Sequence, residues 1–308
     1  MLNVQDATGK EPVLNNCGTI VYSWFLGVEQ RCGIAFLEIR MISTWHKVFV
    51  CMIICDCLLL CSARAEQFCG DINNKDTIID VMNGEYRITN NVWRGTSTQC
   101  LSIDPNSTFF SIIRSTHDSN VVVAYPSIIR GQHFSGVNTK NSGMPIKISD
   151  IATAPVVWNA DVNHAKGVWN TAFEAWISKT GGTVPEGGAE LMVWLNKKGS
   201  IIMPAGGEKK VTITVAGTQW NVYFDSQQRN WKYIAYERAK PSVTASFDLK
   251  DFINDAVSRG YLESSWYLDS MEAGFEIIQD GQGLTNRSFS ASVTARSSSE
   301  PNNAVPTK

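Results

Sequence analysis

Glu190-Leu191-Met192-Val193-Trp194-Leu195 is the stretch that decides the fold. Side chains of a β-strand point alternately to its two faces. One face of this segment carries Leu191, Val193 and Leu195, an apolar stripe suited to a core. The other carries Glu190, Met192 and Trp194, so a carboxylate, a thioether and an indole share the face away from that core. The same parity groups Asn170, Ala172, Glu174 and Trp176 on an earlier segment, and Asn91 with Trp93 on another. Gly274 to Ile278 reads as a further strand presenting Glu276 between apolar Phe275 and Ile277.

Working outward, short runs rich in Val, Ile, Thr, Phe, Tyr and Trp recur between Gly, Asn, Asp, Ser and Pro, the pattern of a β-protein. They fall at Gly84–Trp93, Phe109–Arg114, Val121–Tyr125, Gly167–Ile177, Lys210–Ala216, Asn221–Phe224, Trp231–Glu237, Ser242–Phe247, Trp266–Ile278 and Ser288–Ala295. One segment departs from this pattern. Leu249, Phe252, Ile253, Ala256 and Val257 repeat with helical spacing, Asp248 can cap the start, and Gly260 sits where a left-handed stop is expected. Many strands and one helix, without βαβ alternation, imply an all-β fold. The expected form is a two-sheet β-sandwich (jelly roll) with a single α-helix packed on it.

The ends of the chain read differently. Val48 to Cys61 is an apolar run of about 14 residues, short of the roughly 20 that span a bilayer. It follows Met41 and Lys47 and ends in Ala63-Arg64-Ala65, which is the layout of a secretory signal peptide at 41–65. Residues 1–40 then read as a non-structural upstream extension, 66–296 as a single jelly-roll domain, and the polar 297–308 as a disordered tail. After cleavage only Cys69 and Cys100 remain, an even count that reads as one disulfide in an exported protein. Asn106-Ser107-Thr108 and Asn286-Arg287-Ser288 match the N-glycosylation acceptor.

Composition narrows the function. The formal net charge is −2, with both signs dispersed and no basic patch, which argues against a nucleic-acid or membrane partner. Ten tryptophans with only 18% charged residues suit a surface that stacks on sugar rings. Beyond residue 65 the only histidines are His117, His133 and His164, and neither G-x-S-x-G nor H-E-x-x-H occurs. Neither metal nor cofactor is expected. A carboxylate flanked by aromatics on a strand face is what glycoside cleavage needs: one acid protonates the leaving oxygen, a second attacks or activates water. Apolar surroundings keep the first acid protonated until it is used. A non-catalytic polysaccharide-binding sandwich would need the aromatics without two placed acids. A decayed enzyme serving as an interaction protein is the other alternative.

Four segments carry a resemblance to glycoside hydrolase family 12, running from about Cys69 to about Val293. Asn90-Asn91-Val92-Trp93 resembles the family's Asn-Asn-Leu-Trp, bracketed by Cys69 and Cys100 as in its N-terminal disulfide. Ala124-Tyr125-Pro126-Ser127-Ile128 resembles its Tyr-Pro-Ser strand. Glu190 to Asn196 resembles the nucleophile segment, and Ala273-Gly274-Phe275-Glu276 with Gln279 to Leu284 resembles the acid/base segment. The resemblance implies an open-clefted jelly roll, secreted and monomeric, that cuts β-1,4-glucans with retention through a glycosyl-enzyme. It makes Glu190 the nucleophile, Glu276 the acid/base, and Glu174 the supporting acid where relatives have Asp. Asn91, Trp93, Asn170, Met192, Trp194 and Pro204 map onto substrate-binding positions. The chain departs from the family at Ile72, where relatives have an aromatic platform, at Gln132, where bacterial relatives have Cys, and at Ile277-Ile278.

Overall fold

The computed structural model describes residues 65–297, apart from 72, 74–76, 135, 183–185, 206 and 227–229. Ile72, the expected upstream extension, all but the last residue of the expected signal peptide, and the tail beyond 297 lie outside the described residues.

Strands are numbered in chain order. A six-stranded sheet runs β1 (Glu66–Gly70), β4 (Gln99–Ile103), β5 (Phe110–Arg114), β18 (Thr285–Ala291), β9 (Pro155–Asp161) and β15 (Thr244–Asp248). The larger sheet runs β12 (Val211–Val215), β13 (Thr218–Asp225), β14 (Lys232–Arg238), β11 (Ala189–Lys198), β10 (Gly167–Ser178), β16 (Tyr267–Gly274), β6 (Ser127–Gly131), β3 (Tyr86–Thr89) and β2 (Ile78–Val81). Two short strands extend it, β17 (Ile277–Asp280) beside β10 and β7 (Ile146–Lys147) beside β16. A separate pair joins β8 (Ile151–Thr153) to β19 (Thr294–Ala295). Together these form the expected β-sandwich.

Burial explains why the sheets face each other. In β9, Val156, Trp158 and Ala160 are buried while Val157 stands exposed, so one face meets the core and the other meets water. From Leu191 to Leu195, β11 is buried on both faces. Leu191, Val193 and Leu195 enter the main core between the sheets, as their alternation predicts. Met192 and Trp194 join a second apolar cluster on the opposite face, with Ala172, Tyr223, Tyr233 and Ile278.

The helix forms where its spacing places it, α1 at Leu249–Ser258. The Asp248 carboxylate accepts from Lys250 N at 2.9 Å, and Gly260 takes the left-handed φ of 73° beyond the end. Phe252 packs edge-on against Tyr236 of β14 and Phe247 of β15, so one aromatic bridges both sheets. No helix among the described residues is long and apolar enough to cross a membrane.

Three expectations need correction. Val121–Tyr125 makes only a bridge, Ala124 to Ile277, because the following Pro126 has no N–H with which to continue a ladder. Asn91 and Trp93 lie beyond the end of β3, where Asn91 turns left-handed at φ 39°, so strand parity does not govern them. Trp266–Ile278 is two strands and not one, with Phe275 and Glu276 between them.

Cys69 and Cys100 are bonded and sit directly opposite across β1 and β4. Of the two glycosylation matches, Asn106 is exposed in the turn between β4 and β5, whereas Asn286 is fully buried. The Asn286 amide donates to Thr108 O and accepts from the Trp158 indole at 2.8 Å, so it is a structural residue and not an acceptor in the folded chain. Asn286→Ala should leave both partners unpaired in the core and cost about 2–4 kcal/mol. Urea unfolding read by tryptophan fluorescence checks this; an unchanged midpoint would contradict it.

Candidate active site

Register builds the floor of a cleft on the outer face of the large sheet. Across β10, Glu174 lies opposite Met192 of β11 and Glu272 of β16, while Trp176 lies opposite Glu190 and Ser270. Parallel β14 then brings Tyr233 beside Glu190. The cleft has a volume of about 770 Å³ and is lined by Glu190, Glu276, Glu174, Trp93, Trp176 and Trp231, among others. Glu190 and Glu276, far apart in sequence, therefore share one opening.

The two acids are held in different ways. Glu190 sits inside a regular strand, and the Trp231 indole N–H donates to its Oε2 at 2.9 Å. Trp231 is itself packed edge-on against Trp176, with Phe134 alongside both. Glu276 sits in the break between β16 and β17. Asn170 spans that break. Its backbone N–H donates to Glu276 O at 3.0 Å, its side-chain oxygen accepts from Glu276 N at 2.9 Å, and its amide donates to the Glu276 carboxylate. The β10–β11 register shifts between Thr171 and Ala172, a bulge that separates Asn170 from the Ala172–Glu174–Trp176 face.

Electrostatics divide the acids further. Burial, followed by the negative charges of Glu190, Glu272 and Glu276, pushes the Glu174 carboxyl well above the ordinary range. Burial, then Glu174, Glu272, Glu276 and Glu190, pushes the Tyr125 phenol up, and burial with Glu276, Glu190 and Glu174 does the same to Tyr233. Tyr125 uses its hydroxyl to hold Ala172 O at 2.9 Å.

Of the expected residues, Glu190, Glu276, Glu174, Asn91, Trp93 and Trp194 line the cleft. Met192 is fully buried beneath it, Asn170 acts on Glu276 from behind, and Pro204 is buried while its neighbours Met203 and Ala205 face the cleft. Sequence reasoning missed Trp231, His133, Phe134 and Glu272. Glu272 could have been found, since Glu272, Gly274 and Glu276 share one parity. The loop residues His133 and Phe134 carry no such signal.

Two placed carboxylates in an aromatic-lined cleft on a β-sandwich define a glycoside hydrolase. The chain belongs to glycosyl hydrolase family 12, which it matches over residues 84–294. It is 33% identical over 153 residues to "Probable cellulase Cel12b" of Mycobacterium tuberculosis, spanning 49% of this chain and 98% of that protein. It is 27% identical over 243 residues to "Xyloglucan-specific endo-beta-1,4-glucanase A" of Emericella nidulans, spanning 75% and 92%. Among solved structures, endoglucanase cel12A of Rhodothermus marinus superposes with a TM-score of 0.69 at 38% identity, over 75% of this chain and all of that one.

Trp231→Phe keeps the ring and deletes the donor to Glu190. The Glu190 anion loses that hydrogen bond, so on the proposal below that Glu190 is the nucleophile the acidic limb of the kcat/KM profile should move up by about one pH unit; an unmoved limb counts against a direct role for the indole. Glu174 makes a separate prediction. Its folded carboxyl keeps a proton that the unfolded chain releases above about pH 4.3, so native binding exceeds unfolded binding and stability falls as pH rises from there. Glu174→Gln should match wild type at pH 4 and unfold at a higher temperature at pH 7, a difference that thermal scans at the two pH values would detect.

Proposed function

We propose that residues 66–296 act as a secreted, monomeric endo-β-1,4-glucanase on plant cell-wall glucans, namely cellulose, mixed-linkage β-glucan or xyloglucan. The observation that carries this is the convergence of Glu190 and Glu276 on one cleft, each held by a dedicated donor, Trp231 or Asn170. The activities named for the relatives, cellulase and xyloglucan-specific endoglucanase, supply the polymer class. An open cleft suits cutting within long chains. The disulfide between Cys69 and Cys100 supports an oxidising, extracellular setting.

Hydrolysis runs in two displacements. Glu276 gives its proton to the glycosidic oxygen as that oxygen leaves, while the Glu190 carboxylate attacks the anomeric carbon and forms a glycosyl ester. Glu276, now ionised, takes a proton from water, whose oxygen attacks the same carbon and releases Glu190. Configuration is inverted twice and so retained. Trp93, Trp176 and Trp231 offer faces for sugar rings, while Asn91 and Trp194 complete the lining. Asn170 keeps Glu276 in line with the bond to be cut. Met192 and Pro204 serve from beneath by packing the strand and loop that border the cleft.

Glu190→Gln and Glu276→Gln keep shape and remove one function each. Reducing-end release from carboxymethylcellulose, barley β-glucan and xyloglucan should fall roughly 10²–10⁴-fold or more in each, with unchanged circular dichroism. Folded variants that retain wild-type rates would sink the assignment of both acids. Folded wild type inert on all three polymers would favour a carbohydrate-binding protein instead.

A further inference from the structure

The two displacements leave a second acid and a histidine unused. Glu272 of β16 is fully buried, yet three donors reach it: Ser270 Oγ at 2.7 Å, His133 Nδ1 at 2.8 Å and Ser127 Oγ at 3.5 Å. Glu174 is its direct cross-strand neighbour and is also buried. The His133 ring and the two carboxylates bring their polar atoms within 4.8 Å of one another. Two carboxylates so close in a dry site do not both ionise, because like charges opposite each other in a sheet repel and burial removes the screening water. Their surroundings separate them. Glu272 has two hydroxyls and an imidazole directed at it, whereas Glu174 has only the Trp176 indole beside it against three further carboxylates.

His133 stands at the cleft wall, partly exposed, with its ring 4.6 Å from Phe134 and 6.0 Å from Trp176. Its Nδ1 lies 2.8 Å from a fully buried carboxylate, a contact that favours the imidazolium. The other titratable groups facing this cluster are Glu190 from β11, Glu276 from the β16–β17 break, Tyr125 ahead of β6 and Tyr233 from β14. On β3, Arg87 also lines the cleft but is paired with Asp80 at 2.8 Å.

We propose that His133 is a positioning residue for hydrolysis, acting through Glu272. The imidazolium holds Glu272 as the charged member of the buried pair and so leaves the proton on Glu174, which then supports the Glu190 carboxylate instead of repelling it. This rests on Glu190 being the nucleophile. The proton sits on Glu174 and the negative charge on Glu272 is matched by the ring, so neither residue adds net charge beside Glu190.

The test is the kcat/KM–pH profile on soluble β-glucan for His133→Ala, Glu272→Gln and the double variant, with thermal unfolding as a control for folding. Removing the cation should move the acidic limb up by about half to one pH unit, and removing the neighbouring anion should move it down. Because His133 acts through Glu272, the double variant should sit with Glu272→Gln alone, the loss of the ring adding no further upward shift. His133→Asn, which keeps a neutral donor near Nδ1, should shift the limb less than His133→Ala does. A limb that stays put in folded His133→Ala, or one that His133→Ala raises by the same amount with Glu272→Gln already in place, would overturn the proposal. Loss of the Glu190 assignment would show independently, as Glu190→Gln with wild-type turnover.

Discussion

The pairing register of β10 with β11 and β16 is the constraint on which the site depends. A slip of one residue along β10 would turn Glu174 and Trp176 into the core and bring Phe173 and Ala175 out. Phe173 is fully buried against Phe247 and Phe289, so the core itself opposes that slip. Hydrophobic burial on one face therefore fixes the chemistry on the other. The helix contributes to the same lock, because Phe252 closes the core against β14 and β15 together.

Concentrating acids on that face raises the electrostatic cost of the site. Glu174, Glu190, Glu272 and Glu276 all act on the Tyr125 phenol, which places four carboxyl groups around one buried hydroxyl. A buried cluster of this kind survives by distributing protons unequally. Donors are directed at Glu190, Glu272 and Glu276, whereas burial and the neighbouring charges disfavour the anion of Glu174 despite the Trp176 indole beside it.

Much of this was legible in the sequence, and the gaps have physical causes. The helix could be read because capping residue, spacing and stop residue all agreed. The long strands β10 and β11 could be read because alternation persists for many residues. Strand β9 could not: it opens on Pro155 and closes on Asn159-Ala160-Asp161, and its pairing with β15 and β18 comes from distant chain. Glu190 and Glu276 carried motifs, and both line the cleft. Trp231 precedes a strand and His133 sits in a loop, and each gains meaning only from a partner many residues away. Asn170 shared a parity on paper with Glu174, but the bulge after Thr171 broke that count and turned the residue into a clamp.

The contrast between the two proposed catalytic acids follows from their supports. A nucleophile has to stand at one fixed distance from the anomeric carbon, and a residue paired on both sides inside a regular strand has little freedom to do otherwise. An acid that must give a proton to one oxygen and later take a proton from another needs a carboxyl free of the ladder on at least one side. The break between β16 and β17 provides that freedom. Close backbone approach enforces it, since a Cβ on Gly274 would lie 2.3 Å from Pro126 O. Asn170 then replaces the missing rung with its own side chain, so the strand is interrupted without leaving Glu276 loose. The strand break that defeats a simple alternation rule at Glu276 is thus the feature that suits this residue to its part.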